Sequence, residues 1–421
     1  MKRSMRVLLS MLLASSMAVM ATACRSDTKD GAPAADPQKA VTIELLNQKR
    51  ESIDVLTKIV SQYNESQDKV TVQLNSPAEA TTVIATRAAS GDLPEVFTDW
   101  PMQANYGQYV DSGLLEDLTN EPYMETVNQT ALEISTRPDG KIYTAPLALN
   151  TYGIFYSVKD FEELNLKVPA TYDELISVCE KLLSAGKTPF MFPDKDSWTV
   201  EQEFMFNTGV WDTGFLDAYQ GCKEGSVNLT EDAGIQQTAS RMLDLRNRFG
   251  QKDSLGTSYD DAISSFATGK SSLFMQGIWA LDPIKQANPE FEFGVFAVPG
   301  NTAEETRVEI GVDLAFDVTK DSENKQAALE FVRYMMTPET AKLYSEAIQV
   351  PTAIEGGNAA LEAIAPLVQY VEAGKTFPQL MGLHTTDIAA NEPALCQQLI
   401  VSQDVDAFKT AMNDLWANTA K

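Results

Sequence analysis

The chain contains 421 residues, is 44% hydrophobic and 22% charged, and carries a formal net charge of −26 at pH 7. This acidic balance disfavours nucleic acids and other polyanions, because a surface that binds phosphates needs clustered Lys and Arg. A chain of this length exceeds one ordinary hydrophobic core, so we expect two lobes of about 100–200 residues each.

The first 23 residues have the pattern of an export signal. Lys2, Arg3 and Arg6 precede an apolar stretch, and small residues lead from it directly to Cys24. This arrangement is similar to a bacterial lipobox, in which the cysteine becomes the first mature residue, is acylated and anchors the protein to the extracytoplasmic face of the cell membrane. Removal of the three cations would change the net charge from −26 to −29. A plain secretory signal and an uncleaved anchor helix are the alternatives.

Residues 24–39 are predicted to form a disordered tether. The segment Arg25–Lys39 contains no large apolar residue and is dominated by Asp, Gly, Pro and Ala. Such a composition cannot bury enough surface to offset the entropy that ordering would cost. The globular part is therefore expected to begin near Ala40.

Between residues 41 and 99, hydrophobic residues follow two periods in turn. A period of two is typical of strands and a period of 3.6 of helices. The pattern predicts strand Val41–Leu45, helix Ser52–Tyr63, strand Val70–Leu74, helix Pro77–Ala89 and strand Glu95–Asp99. Strands that alternate with helices indicate an α/β fold with a parallel sheet. Ligands bind such sheets at the carboxyl ends of the strands, which places Asn47, Gln48, Asp99 and Trp100 near one crevice.

The middle and the end of the chain show fewer regular boundaries. Thr171 and Glu174 have the spacing of a capping box, which predicts the start of a helix. The aromatic-rich segment Asp194–Asp217 is interpreted as loop-like. Leu314–Phe316 is predicted to be a strand and Lys325–Met336 a helix, with mostly helical structure thereafter.

Two sequence features that could indicate an enzyme lack residues that their motifs require. Ala267–Ser271 ends like a phosphate-binding loop, but that loop requires Gly five residues before Gly269, where the chain has Ser264. Ser258 is instead expected to cap a helix that ends at Gly269. His384 is the only histidine, so an HExxH zinc site is excluded, and we expect no metal and no cofactor.

Beyond Cys24, the cysteines are Cys179, Cys222 and Cys396. Their odd number and wide spacing favour free buried thiols over a disulfide framework. A single disulfide between two of the three cysteines is the alternative.

Several short motifs occur in the order in which a known family has them. They are Ser90–Val96 (SGDLPEV), Gly113–Leu118 (GLLEDL), Asp139–Pro146 (DGKIYTAP), Phe161–Leu166, Pro169–Leu175 (PATYDEL), Phe266–Lys270 (FATGK) and Gly277–Trp279 (GIW). In these motifs the chain resembles the family 1 extracellular solute-binding proteins, the capture components of carbohydrate ABC importers. Phe97–Pro101 and Thr188–Met191 further resemble the oligosaccharide branch, which takes raffinose or multiple sugars.

The resemblance implies a two-lobed α/β fold of the periplasmic-binding-protein type II, with a ligand cleft between lobes joined by hinge crossovers. It implies a first lobe of residues 40–150 plus 276–335 and a second, mostly helical lobe of residues 151–275 plus 336–421. It further implies a monomer that captures a neutral mono- or oligosaccharide by lobe closure. The sugar would pass to permease subunits of an ABC importer, with no bond made or broken.

Sugar binding requires flat aromatic faces and planar polar groups that pair with adjacent hydroxyls. The predicted ligand-binding residues are Asn47, Asp99, Trp100, Asn150, Tyr152, Trp198, Trp211, Trp279, Asp313 and His384. Trp279 is included because the Gly-x-Trp motif of the family faces the cleft, whereas Trp416 is assigned to helix packing. For each aromatic residue, the alternative is a place in the hydrophobic core. For each polar residue, the alternative is a helix-capping or surface role.

Two other classes of function stay open. A surface glycoside hydrolase needs only two carboxylates about 5–10 Å apart, and 59 acidic residues always supply such pairs. A scaffold lipoprotein with no small-molecule ligand would share the signal and the tether.

Overall fold

The computed structural model describes residues 40–357 and 361–418. The signal peptide, Cys24 and the tether lie outside these residues, so the predictions about them stay predictions. From Ala40 onward, the described residues form one compact unit. Within the described ranges, no helix is both long enough and apolar enough to cross a membrane.

The described residues form nine strands and sixteen helices, joined by loops and short 3-10 turns. The strands are β1 (Val41–Leu46), β2 (Val70–Asn75), β3 (Val96–Asp99), β4 (Thr144–Asn150), β5 (Tyr152–Ser157), β6 (Leu273–Gly277), β7 (Phe293–Phe296), β8 (Val308–Val318) and β9 (Thr376–Pro378). The helices are α1 (Ile53–Ser66), α2 (Ala80–Ser90), α3 (Ala104–Asp111), α4 (Gln129–Ser135), α5 (Val158–Glu163), α6 (Tyr172–Ser184), α7 (Ser197–Trp211), α8 (Phe215–Lys223), α9 (Ala233–Phe249), α10 (Tyr259–Ala267), α11 (Leu281–Ala287), α12 (Lys325–Met335), α13 (Pro338–Ile348), α14 (Ala365–Glu372), α15 (Thr386–Ser402) and α16 (Val405–Asn418).

The first sheet has the strand order β2-β1-β3-β8-β4, with β9 beside β8. β1 pairs in parallel with β2 and with β3, as the alternating periods of residues 41–99 predicted. β8 is antiparallel to both β3 and β4. α1 packs against β2 and buries Leu56, Ile59 and Tyr63, which recur at the helical period.

The second sheet is smaller, with the order β6-β5-β7 and antiparallel pairing throughout. Phe296 of β7 pairs with Ile154 of β5, so residues 293–296 belong to this sheet, whereas the predicted boundaries grouped them with the first lobe. In the same way, α13 contacts α1 and β4 of the first sheet, although the boundaries assigned it to the second lobe. Hydrophobic periodicity predicts that a strand or helix exists but not which distant element it pairs with.

The chain passes from the first sheet to the second at Thr151, between β4 and β5, and returns between β7 and β8. At this crossing the Thr151 hydroxyl donates to the carbonyl oxygen of Glu309 in β8 (2.7 Å). The backbone N–H of Ile278 donates to the carbonyl oxygen of Thr151 (3.0 Å). The bond to Glu309 joins the segment that leaves the first sheet to the strand that returns to it. The predicted two-lobed α/β fold is confirmed.

The segment Asp194–Asp217 is mostly helical, so its interpretation as loop-like was wrong. It contains α7, whose residues are nearly all buried, and the start of α8. A helix that is buried on almost every side has no polar stripe, and its sequence then lacks the 3.6-residue period. Two of the acids that this region buries are paired, because the Arg246 guanidinium lies 2.7 Å from both Asp194 and Glu203.

The helix boundaries predicted at Thr171, Ser258 and Gly91 are confirmed. The Thr171 side chain accepts from the backbone N–H of Glu174 at the start of α6, and Ser258 and Asp261 form a capping box on α10. Gly91 ends α2 with φ at 71°, a left-handed conformation that glycine adopts without steric strain. The segment that follows α10 is thus a helix terminus and not a phosphate loop.

Cys179, Cys222 and Cys396 are free and buried, as their number and spacing predicted. Burial raises the pKa of each thiol, which keeps all three protonated at neutral pH. They act as small apolar residues of the core.

Asp99 of β3 and Asp317 of β8 form a buried pair of acids. Asp99 lies opposite Ala315 in the antiparallel ladder, so Asp317 is its diagonal neighbour on the same face. Burial raises the pKa of Asp99 to about 7, and burial with the nearby Asp99 carboxyl raises the pKa of Asp317 well above its ordinary value. The pair therefore holds a proton near neutral pH.

Replacement of Asp317 by Asn should stabilise the protein at pH 8 but not at pH 4. A raised pKa means that the folded state binds protons more tightly than the unfolded chain, in which Asp titrates near pH 3.9. The stability contributed by the protonated pair is complete below about pH 4 and is lost as the pH rises through 7. Because Asn mimics the neutral carboxyl at every pH, urea unfolding at pH 8 should show a gain of about 1–3 kcal/mol.

Asp321→Asn, which removes an exposed acid just beyond β8, is the control and should leave the pH dependence unchanged. If Asp317→Asn destabilises the protein equally at pH 4 and pH 8, the pair does not hold a proton.

Candidate functional site

A cavity of about 890 Å³ lies between the two lobes. Residues that follow β1 and β3 form its first-lobe wall, at the carboxyl ends of parallel strands, as the sequence predicted. The opposite wall comes from the starts of α7 and α10, the turn after β6 and the region of α15. Pockets for small molecules usually measure about 300–1,000 Å³, so this cavity has room for a ligand of more than one sugar ring.

Six of the ten predicted site residues line the cavity. They are Trp100, Asn150, Trp198, Trp279, Asp313 and His384. The structure places Asn47, Asp99, Tyr152 and Trp211 outside the cavity wall, and their packing accounts for each of them. The wall itself combines aromatic faces with planar polar groups from both lobes.

A buried ion pair forms the floor of the cavity. Lys49, in the loop after β1, places its Nζ 2.7 Å from Oδ1 of Asp313 on β8. The two side chains are only 5% and 1% exposed. Burial lowers the pKa of Lys49, but the carboxylates of Asp313 and Glu51 outweigh burial and hold that pKa above its ordinary value. Lys49 is therefore charged at neutral pH, and its ammonium group opposes the burial that raises the pKa of Asp313.

Trp100 is fixed to the same floor. Its indole N–H donates to the carbonyl oxygen of Asp313 (2.7 Å), and its backbone N–H donates to Oδ1 of Asp99 (2.8 Å). The ring is thus held by β8 on one side and by β3 on the other. Asp99 acts on the cavity through Trp100 and does not face it.

Asn47 also acts through a neighbour. Its side-chain amide donates to the carbonyl oxygen of Lys49 (2.7 Å), and its Oδ1 accepts from the backbone N–H of Lys49 (3.1 Å). This ring of hydrogen bonds turns the chain after β1. The turn directs Lys49, and not Asn47, to Asp313.

The second lobe contributes two indole rings. Trp198 lies in the first turn of α7 and packs edge-on against Tyr259 of α10, with ring centroids 5.1 Å apart. Trp279 follows β6 and covers Gly277, where a Cβ atom would lie 2.0 Å from the indole ring. The Gly-x-Trp spacing of the motif therefore has a steric cause, because only glycine leaves room for the ring.

Tyr152 and Trp211 belong to the core of the second lobe. Tyr152 packs against Phe206 of α7, with ring centroids 4.9 Å apart. The indole N–H of Trp211 donates to the carbonyl oxygen of Pro299 (3.0 Å), and its ring stacks under the Arg241 guanidinium at 4.8 Å. Trp211 ends α7 while Trp198 begins it, so the two rings lie at opposite ends of one helix.

Several polar cavity residues were missed by the sequence analysis, among them Lys49, Glu201, Tyr259 and Gln379. Lys49 lies in the same predicted loop as Asn47, two residues further on, and Tyr259 directly follows the predicted cap Ser258. The positions of these two residues could therefore have identified them from the sequence. Glu201 lies on α7, whose helical period was hidden. The Gln379 amide donates to the carboxyl of Glu309, a contact between distant segments that no local pattern encodes.

The two walls touch across the mouth of the cavity. Arg50 of the first lobe lies 3.1 Å from Asp260 of α10, and both side chains are well exposed. Gln108 of α3 donates to the Thr386 hydroxyl at the start of α15. The lobes are therefore closed over the cavity in this structure.

Loss of the Lys49 charge should destabilise the fold strongly. Lys49→Met leaves the Asp313 carboxylate buried without its partner, and the breaking of a buried pair typically costs about 3–5 kcal/mol. Asp313→Asn in the Lys49→Met background should restore part of this loss, because a neutral amide needs no counter-charge. Urea unfolding of the two single variants and the double variant gives the coupling energy.

Arg50→Met is the matched control, since it removes a cation from an exposed pair at the same cavity and should cost less than about 1 kcal/mol. A Lys49→Met variant that loses no more stability than Arg50→Met would show that the buried pair is not a structural constraint.

Comparison with known proteins agrees with this geometry. A family model described as bacterial extracellular solute-binding protein matches residues 58–366. The multiple sugar-binding protein of Streptococcus mutans is 32% identical over 322 residues, which cover 75% of this chain and 76% of that protein. The melibiose/raffinose/stachyose-binding protein MelE of Bacillus subtilis is 22% identical over 310 residues, 72% of this chain and 71% of MelE.

Solved structures give the same result. The solute-binding protein RafE in complex with raffinose matches with a TM-score of 0.82 and 28% identity, covering 91% of this chain and 100% of that one. The apo form of RafE from Streptococcus pneumoniae, at the same identity and with 92% and 100% coverage, gives 0.76. The higher score for the raffinose complex agrees with the contacts that close the cavity. The resemblance read from the motifs is thus confirmed, and the chain belongs to the bacterial extracellular solute-binding proteins.

Proposed function

We propose that this protein captures a small neutral oligosaccharide between its lobes and delivers it to the permease of an ABC importer. The observation that carries the proposal is the set of three indole rings, Trp100, Trp198 and Trp279, that line one cavity together with amide and carboxylate groups. Pyranose rings offer flat C–H faces to aromatic side chains and paired hydroxyls to planar polar groups. Raffinose and stachyose, named for the relatives, are neutral oligosaccharides of this kind.

The charges of the cavity support a neutral ligand. Among its described residues, Lys49 and Arg50 are the Lys and Arg side chains, and each is paired with a carboxylate, Asp313 or Asp260. An anionic sugar would find no available guanidinium for bidentate contact and would meet the other acids of the wall, such as Glu51.

We propose further that the protein binds its sugar without cleaving it and acts as a monomer. The relatives named above are binding proteins, and one chain supplies both walls of the cavity. Release of reducing sugar from a bound oligosaccharide would instead favour a glycoside hydrolase.

Trp279→Ala should weaken oligosaccharide binding by about 1–3 kcal/mol, or roughly 5- to 150-fold in Kd, because it removes one aromatic face from the cavity. Calorimetric titration of the purified protein with raffinose and stachyose measures this change directly. Circular dichroism should report an unchanged fold.

Trp211→Phe is the matched control, because it alters an indole of the same lobe that lies outside the cavity, and it should leave the sugar affinity unchanged. If Trp279→Ala lowers the melting temperature sharply while the folded fraction binds sugar normally, Trp279 is a core residue. If the wild-type protein binds no neutral mono- or oligosaccharide at all, the proposed function is wrong.

The chain is further proposed to be a lipoprotein anchored through Cys24, on the basis of the lipobox-like sequence that precedes this residue. Cys24→Ala should release the protein from the membrane fraction of a bacterial host and leave sugar binding intact, because the tether separates the anchor from the binding lobes. Cell fractionation with acyl-chain labelling measures the change. Persistent membrane association of the Ala variant would indicate an uncleaved anchor helix.

A further inference from the structure

A second polar cluster lies behind the second-lobe wall of the cavity. It consists of Glu201 on α7, His384 just before α15, and Glu392 on α15. One possible ligand atom from each residue lies within 4.8 Å of the other two. Glu201 and His384 also line the cavity, whereas Glu392 is fully buried.

Hydrogen bonding within the protein does not account for this cluster. His384 Nε2 lies 3.6 Å from Oε2 of Glu392, which is too long for a hydrogen bond. The imidazole is only 1% exposed. Among the described residues, neither His384 Nε2 nor Glu392 Oε1 has a hydrogen-bond partner. Buried polar atoms without partners are costly and rare, and here they belong to neighbouring groups in one cluster.

The spacing suits a metal ion. Two ligands that each lie about 2.0–2.1 Å from a tetrahedral Zn²⁺ are about 3.4 Å apart, close to the 3.6 Å between His384 and Glu392. Imidazole and carboxylate are both common zinc ligands. The Trp416 indole N–H donates to Oε2 of Glu392 (2.8 Å), and hydrogen bonds of this type orient ligating carboxylates.

The cation beside the cluster, Lys223, is bonded to the backbone. Its ammonium group donates to the carbonyl oxygen of Leu383 (2.7 Å).

We propose that Glu201, His384 and Glu392 form a binding site for a divalent transition metal of the zinc class, with the remaining coordination position toward the cavity. This inference departs from the expectation of no metal, which rested on the absence of a short sequence motif. The three ligands come from separate segments of the chain, and no motif spacing describes them. The inference does not rest on the proposed sugar binding, although two of the three ligands also line the cavity.

Titration of the chelator-treated protein with ZnCl₂ tests the proposal. We expect calorimetry to show one Zn²⁺ bound per chain and thermal unfolding to show a raised melting temperature. His384→Gln and Glu392→Gln should each weaken zinc binding at least tenfold. Glu392→Gln keeps the side-chain volume and an acceptor for Trp416, so it stays informative if His384→Gln folds poorly. CaCl₂ should bind at least tenfold more weakly, because Ca²⁺ prefers six to eight oxygen ligands.

Two control variants separate this site from other sources of zinc affinity. Asp54→Asn removes an exposed carboxylate from α1, and Cys396→Ser removes the thiol that lies one turn beyond Glu392 on α15; both should keep the wild-type affinity. The proposal is overturned if the wild-type protein binds no zinc, if binding persists in His384→Gln and Glu392→Gln, or if Cys396→Ser abolishes it. Raffinose titration of the zinc-free protein shows separately whether sugar binding holds.

Discussion

The buried ion pair between Lys49 and Asp313 is the constraint on which the cavity depends. Lys49 follows the first strand, whereas Asp313 lies on β8, the strand that returns from the second lobe, so the pair joins the floor of the cavity to the crossing point of the chain. Two desolvated charges must stay together, because the loss of either partner leaves a buried charge uncompensated. The Asp313 carbonyl oxygen also holds Trp100. The charged and aromatic parts of the floor therefore keep a fixed geometry before any ligand arrives.

The contacts that join the two lobes at the mouth of the cavity are much weaker than this buried pair. The lobes meet at the mouth through Arg50 and Asp260, an exposed pair of a kind that contributes about 0–1 kcal/mol. Such weak links let the lobes open easily, and a ligand that contacts both walls supplies the difference in free energy that favours closure. A rigid floor with weak links at the mouth is the arrangement expected of a protein that must both capture and release its ligand.

Local patterns predicted much of the first lobe but only part of the site. Residues 41–99 keep one apolar face per element, so strands, helices and the Gly91 stop could be read from them. The helix that carries Trp198 was missed because burial on nearly every side removes the helical period. The location of a residue just after a strand predicted the correct edge of the sheet. It could not show that Lys49 and Trp100 line the cavity, whereas their neighbours Asn47 and Asp99 do not. That distinction depends on single side-chain hydrogen bonds.

The most direct test of oligosaccharide capture is a ¹⁹F NMR titration of protein labelled with 5-fluorotryptophan. The chain has five tryptophans, and each resonance can be assigned with a Trp→Phe variant. The account predicts that a neutral oligosaccharide shifts the resonances of the three cavity residues, Trp100, Trp198 and Trp279, and leaves the two core residues, Trp211 and Trp416, nearly unchanged. Shifts confined to Trp211 and Trp416, or no shift with any neutral oligosaccharide, would contradict it.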